Sequence, residues 1–332
     1  MRPAMDGTSQ IEAVGPVPEL DDCTRFRQMV RSHSLFVQGT GGARARVEGL
    51  TVHDLTMHDA VLRDIHMVRA TLMECDFTGA VFEGAELEAC VFERTGLGAT
   101  DFTAAAITDS QFLVAWLSNS CLAEARLNGV SFPEGQLSQS RLHDMIAQGC
   151  SFCGADLTEA MFHHAHLNEC DLSGAEVTRA QFYQSRLAFC KLREIRGDNA
   201  NFSGARLTHC EFDGAELFAA KFQKADLQQS SLVRAVLGEA DFRDANLNGA
   251  KFGAADLVRA KFGGARMLSA DLREANLDGA RELTMAQLSQ ALTDKTTILP
   301  NGRHGPYMRY SGAEKPRIQD EVVPRRRKAE DE

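Results

Sequence analysis

No stretch of this 332-residue sequence approaches the roughly 20 consecutive apolar residues that a membrane-spanning helix needs. The first segment, MRPAMDGTSQIEAVGPVPEL, has no apolar core of signal-peptide length. The expectation is a soluble, cytoplasmic protein without a membrane span. Positive charge is not in excess either: 36 Lys and Arg stand against 46 Asp and Glu, a formal net charge of −10. Sequence-independent grip on DNA or RNA rests on many Lys and Arg contacts to phosphate, so direct nucleic-acid binding is disfavoured. Catalytic signatures are missing as well. There is no nucleophile elbow with Ser, His and Asp in order, no glycine-rich phosphate loop after a strand and no HExxH. The chain is therefore read as a non-enzyme with no cofactor. Its nine cysteines cannot all pair within one chain, and most are expected to be reduced thiols.

What the sequence has in abundance is repetition. From residue 240 it runs ADFRD ANLNG AKFGA ADLVR AKFGG ARMLS ADLRE ANLDG, a small residue followed two places later by Leu, Phe or Met. The phase holds without insertion back to about Ala45 and Val47. The large apolar residue falls on every number ending in 2 or 7 through Leu277, which makes 47 pentapeptides. A five-residue period fits neither the 3.6 of a helix nor the 2.0 of an ordinary strand. It does fit one side of a square coil. The central residue and the small residue two places before it then point inward as one large and one small side chain, and a narrow interior can be packed to crystal-like density.

On these residues the sequence resembles the pentapeptide-repeat family, whose motif is A(D/N)LXX. The resemblance covers roughly residues 45–280 and implies an all-β fold, a right-handed quadrilateral β-helix with four repeats per coil. Four repeats per coil give about twelve coils, and a rod on the order of 55 Å long at the usual strand spacing of about 4.8 Å. A further regularity lies inside the motif. Phenylalanine occupies central positions ending in 2, from Phe82 to Phe262, whereas only Phe77 ends in 7. With four sides per coil, this predicts two aromatic ladders on opposite inner faces.

The ends of a β-helix expose unpaired backbone, so caps are expected. Residues 19–44 predict an N-terminal cap with a helix near Asp21 to Ser34. Residues 281–302 predict a C-terminal cap with a short helix that has Thr284 at its N-cap and Leu288 and Leu292 on one face. Composition makes residues 1–18 and 303–332 disordered tails. The C-terminal helix serves either as a cap alone or as a homodimer contact, as it does in some family members. Two pairs, Met145 with Ala147 and Ile195 with Gly197, exchange the large and small roles; the coil is expected still to fill by packing compensation, with a partner-fitting bulge or kink as the alternative.

Three clusters are candidate sites. Cys150, Cys170, Cys190 and Cys210 are spaced by 20 and should form a thiol column, which favours packing over metal binding because one column cannot surround an ion. His143, Asp144, His163 and His164 should form an outward block on adjacent coils. These are ligand types suited to Zn²⁺ or Ni²⁺, yet they read more simply as exposed polar residues, with no metal. Trp116, the sole tryptophan, faces outward with Leu113 and Val114 beside it, a candidate partner contact. The resulting expectation is a protein-interaction scaffold with a protein partner. The alternative implied by the family is a DNA mimic that binds a type II topoisomerase, with gyrase inhibition or fluoroquinolone protection. Residues 45–180 favour it, with 20 acids against 7 Arg or Lys.

Overall fold

The computed structural model describes residues 20–316, so the expected tail at 1–18 and residues 317–332 lie outside the described residues. Four short sides build each coil. The first has centres at 47, 67 and so on, the second at 52, 72, the third at 57, 77 and the fourth at 62, 82. Centres such as Val47, Leu62, Phe82 and Phe102 are fully buried, and so are the small residues Ala80, Ala85 and Ala105. The residue two places after each centre turns the corner in the left-handed region. Among the non-glycine corners of the coils, φ runs from 44° at Arg94 to 64° at Glu274. The Asp or Asn before the centre braces that corner. Asp76, Asp101 and Asp171 each accept, through Oδ1, a hydrogen bond at 2.9 Å from the backbone N–H two residues on.

Pairing is parallel and steps by twenty residues, from Arg46↔His66 to Lys261↔Arg281. On the first face eight three-residue strands, Arg46–Glu48 through Arg186–Ala188, form one sheet. On the second, four strands run from Thr51–His53 to Gln111–Leu113. The eight-stranded sheet makes about seven turns, fewer than the coil number expected from the repeat count. On the third and fourth faces throughout, on the second from Ser131 and on the first from Arg206, single bridges replace strands and carry the same step onward.

Both aromatic ladders are present. On the fourth face Phe162, Phe182, Phe202, Phe222, Phe242 and Phe262 stack with centroids 4.6 to 5.4 Å apart. On the second, Phe92, Phe112, Phe132 and Phe152 stack at 4.7 to 5.0 Å. The ladders meet edge to face across the interior, as at Phe102 and Phe112, 6.2 Å and 89°. The coil fills at the exchanged pairs without a bulge. Ile146 keeps register with Arg126 and His166, and Gly197 N–H still donates to Glu216 O at 2.8 Å. Gly197 is required by crowding: a Cβ there would lie 2.5 Å from Val177 Cγ2, because the neighbouring coils' longer side chains already fill the gap.

Helix α1, Asp22–Val37, covers the first coil. Asp21 caps it by accepting Thr24 N–H at 2.9 Å, and Phe26 packs edge to face on Phe77 at 6.1 Å. Helix α2, Met285–Gln290, closes the other end with a capping box between Thr284 and Gln287. The Gln287 side chain donates to Phe262 O and Ala265 O at 2.8 and 2.9 Å, satisfying carbonyls that no further coil would meet. Two expectations are corrected here. Leu288 is buried, but Leu292 lies beyond α2 and is exposed, pairing instead with Asp271 as an extra rung. Residues 303–316, expected to be tail, fold back on the cap. His304 bridges Ile298, Tyr307 N–H donates to Thr293 Oγ1 at 2.9 Å, and Ala313 is buried. Their polar composition hid this because a few apolar contacts suffice on a surface already built.

Candidate functional site

The outward position before each third-face centre is an exposed column, and Trp116 occupies it 44% exposed. Its in-register neighbour on the preceding coil is Gly96, which in turn pairs with Asp76. Gly98 lies two residues further along the same side, so the methyl of the corner residue Ala99 is all this coil turns outward on this face. The result is a shallow groove of about 590 Å³ lined by Trp116, Gly96, Gly98, Asp76, Thr78 and Arg94. Neither glycine has a left-handed φ, and a Cβ at Gly98 would meet only Ser118 O at an ordinary 3.8 Å. Backbone geometry therefore does not demand glycine at 98, and its effect is to leave the floor open. The rim is charged but balanced. Arg94 donates to Glu74 Oε1 at 2.7 and 3.1 Å, and His58 Nε2 stands 2.8 Å from Asp76 Oδ2.

Leu113 and Val114 lie at the corner leading into Trp116, as the sequence predicts. Leu113 is half-buried and Val114 is exposed. Val114 turns that corner with φ 52°, the one β-branched residue among the described residues to do so. A β-branched residue there is a steric outlier. Its N–H reaches Pro133 O only at 3.4 Å, against 2.9 Å for the same bond from Arg94 to Leu113 O. Strain and apolar exposure thus coincide beside the sole tryptophan, a combination that clusters at functional positions.

The other two clusters have structural explanations. His163 is half-buried, and burial first, then His164 and His143, hold its pKa below 6.5. Its ring and that of His164 each lie 6.3 Å from Tyr183, edge to face, a partner the sequence does not flag. Among the described residues no group of three or more His, Cys, Asp or Glu side chains is placed to hold a metal ion. In the thiol column, Cys170, Cys190 and Cys210 each donate to backbone carbonyls of their own and the preceding coil at 3.4 to 3.9 Å. Contact with Cys170 first, and burial second, push the Cys150 thiol far above the ordinary thiol range. Thiols so protonated are poor ligands and poor nucleophiles. Cys150 and Cys153 have a Cys-x-x-Cys spacing, yet Cys150 points into the core and Cys153 to the outside.

A family model described as "Pentapeptide repeat region" matches residues 145–221 and 205–281, and one described as "Pentapeptide repeats (8 copies)" matches 57–94. Among solved structures, the chain is similar to HetL, a pentapeptide repeat protein involved in heterocyst differentiation regulation from the cyanobacterium Nostoc sp. strain PCC 7120. The identity is 22% and the TM-score 0.45, over 82% of this chain and 97% of that one. A pentapeptide repeat protein of the Arabidopsis thaliana thylakoid lumen matches at 25% identity and TM-score 0.27, over 36% and 72%. QnrB1, a plasmid-mediated fluoroquinolone resistance protein, matches in full-length form at 17% identity and TM-score 0.20, over 68% and 93%. No curated protein matches the sequence.

Proposed function

The chain belongs to the pentapeptide-repeat family, and from that premise we propose that it is a non-enzymatic scaffold that docks a protein partner in the groove beside Trp116. One observation carries the assignment: a half-exposed tryptophan borders a coil side bared by Gly96 and Gly98, beside a strained, exposed Val114. Aromatic anchors in pockets with charged rims are the usual energetic centres of protein interfaces. A rigid solenoid suits the task because each coil contacts only its neighbours and leaves its faces free. The nine free cysteines fit a reducing compartment, and we place the protein in the cytoplasm. At the C-terminal cap Leu292, Met308 and Tyr310 are exposed, which makes that end the candidate contact for a second copy.

The test is quantitative co-purification from native extract with the parent chain, with Trp116→Ser and with Lys251→Ala, exposed far along the second face, as a control. The scaffold reading expects a protein lost by at least about tenfold with Trp116→Ser and kept with the control. If every co-purifying protein is indifferent to Trp116, the assignment of this groove fails.

A second reading, DNA mimicry toward a type II topoisomerase, is favoured by the net −13 of residues 45–180, where 20 acids face 7 Arg or Lys. Against it, Arg63, Arg94 and Arg179 are each paired with an acid one coil away, which breaks up any phosphate-like row. A gyrase supercoiling assay without inhibition or protection at micromolar protein removes this reading.

A further inference from the structure

Several arginines of the coils meet acids on a neighbouring coil: Arg63 with Glu83 at 2.6 Å, Arg94 with Glu74 at 2.7 Å, Arg193 with Glu211 at 2.7 Å. The middle of the first face instead gathers three arginines in one column. Its outward column before the centre reads Arg126, Ile146, His166, Arg186 and Arg206, each the in-register partner of the next on adjacent coils. All five side chains are exposed. Among the described residues, Arg126, Arg186 and Arg206 form no ion pair. Like charges directly opposite on neighbouring strands are destabilising, and Arg186 and Arg206 are such neighbours.

The acids that bound this column are already engaged. Glu86, below it, accepts from Arg44 at 3.1 Å; Asp226, above it, accepts from Asn246 at 2.9 Å; Glu169, beside it, accepts from Gln148 at 3.2 Å. Glu124 and Asp144 stand around the corner on the fourth face, with no ion pair to the column. The other flank carries one exposed ring. Phe189 is 59% exposed, stacks on His209 at 5.2 Å, and occupies its corner with φ 54°, where a bulky side chain is disfavoured. Unpaired charge, an exposed ring and local strain therefore meet on one sheet face, on the side of the rod opposite Trp116.

We propose that the first face between Arg126 and Arg206 binds a short acidic segment of a protein partner, laid along the rod axis. Its carboxylates would meet the three arginines, and its apolar side chains would rest against Ile146 and Phe189. The proposal deepens the scaffold reading and rests on it. Four coil steps at about 4.8 Å span about 19 Å, the length of about six extended residues. The guanidinium fork matches a carboxylate bidentately, and Arg126, Arg186 and Arg206 offer that match at three of the five positions of the column. A short acidic peptide fits better than a nucleic acid. Three fixed cations on a chain of net charge −10 give a continuous phosphate backbone little salt-resistant grip.

The full chain is titrated with a fluorescein-labelled hexapeptide, Glu-Leu-Glu-Glu-Phe-Glu, with its glutamine counterpart and with a labelled oligothymidylate, followed by anisotropy at about 50 and 200 mM salt. The glutamate peptide is expected to bind at the lower salt, at least about tenfold more tightly than the glutamine peptide. Reversing both Arg186→Glu and Arg206→Glu should cost at least about tenfold with an unchanged melting temperature, and Trp116→Ser should bind like the parent. Equal binding to the reversed chain overturns the proposal, as does no binding of the glutamate peptide at the lower salt. Tighter binding of oligothymidylate also overturns it and hands the face to single-stranded nucleic acid. Trp116→Ser is silent in this assay, and the double reversal is expected to be silent in Trp116-dependent co-purification, so either assignment fails without the other.

Discussion

Trp116 is the bridge partner of Gly96, so the indole stands next to a coil side that Gly96 and Gly98 leave bare but for the corner methyl of Ala99. Because the floor is open space and not a packing requirement, Gly98→Thr should be tolerated. The same column holds Thr78 and Ser118 on the adjacent coils. The unfolding midpoint should stay within about 0.5 kcal/mol of the parent, as for surface changes away from special features. Trp116 is the only tryptophan, so its emission reports the groove alone and should shift to shorter wavelength as the threonine covers the ring. A loss of several kcal/mol in a urea titration would show instead that Gly98 serves the fold.

Phe202 lies between Phe182 at 4.8 Å and Phe222 at 5.1 Å, and its edge contacts Phe212 at 5.8 Å. Phe202→Ala should cost about 3 to 5 kcal/mol, the transfer term plus a cavity that the rigid coil cannot close. Phe202→Leu should cost distinctly less, because Leu122 and Leu142 occupy the same inner column without disturbing the register. Denaturant unfolding of the two variants checks the ranking. Equal costs would mean that ring stacking, and not filled volume, sets the stability of the ladder.

Much of this architecture is written in the period. A large residue every five places and a small one two before it leave one way to fill a square interior, and the last digit of each phenylalanine places its ring on an inner face. The groove was harder to read. Trp116 is conspicuous, but Gly96 and Gly98 look like two more glycines in a chain that uses glycine at its corners, where Gly79 and Gly84 do turn with positive φ. Their meaning depends on which residue stands one coil away. The exchanged pair at Ile195 and Gly197 leaves a kink open beside packing compensation for the same reason. The sequence shows the lost volume at 197 but not that Val177 and Leu217 lean in to replace it. Residues 303–316 were illegible because their order comes from contacts with the cap, such as Tyr307 on Thr293, and not from any periodicity of their own.

His33 is buried between α1 and the first coil. Its Nε2–H donates to Arg63 O at 2.8 Å, and Nδ1 accepts the Ala45 N–H at 3.1 Å, an assignment that requires the neutral ring. Burial holds its pKa below 6.5. The unfolded chain therefore takes up a proton, at and below about pH 6.5, before the folded one does. Stability from this contact is complete above that pH and declines as pH falls toward the depressed folded value. Hydrogen exchange at the Ala45 amide should accelerate between pH 7 and about pH 5 beyond the intrinsic trend, and the extra pH dependence should vanish in His33→Gln. An Ala45 amide insensitive to pH would show that the ring does not hold the cap.

Val114 separates the two roles a side chain can have at the groove. Its φ of 52° is awkward for a β-branched residue, whereas asparagine tolerates that region and occupies the same kind of corner at Asn119 with φ 62°. Val114→Asn should therefore relieve strain and raise stability by about 1 kcal/mol, read from the unfolding midpoint. The same change removes the exposed apolar flank of Trp116, so Trp116-dependent co-purification should fall. Opposite signs in the two measurements are the signature of strain kept for binding. A drop in stability would mean that Val114 is held by packing, and a gain with undiminished co-purification would move the contact away from this corner.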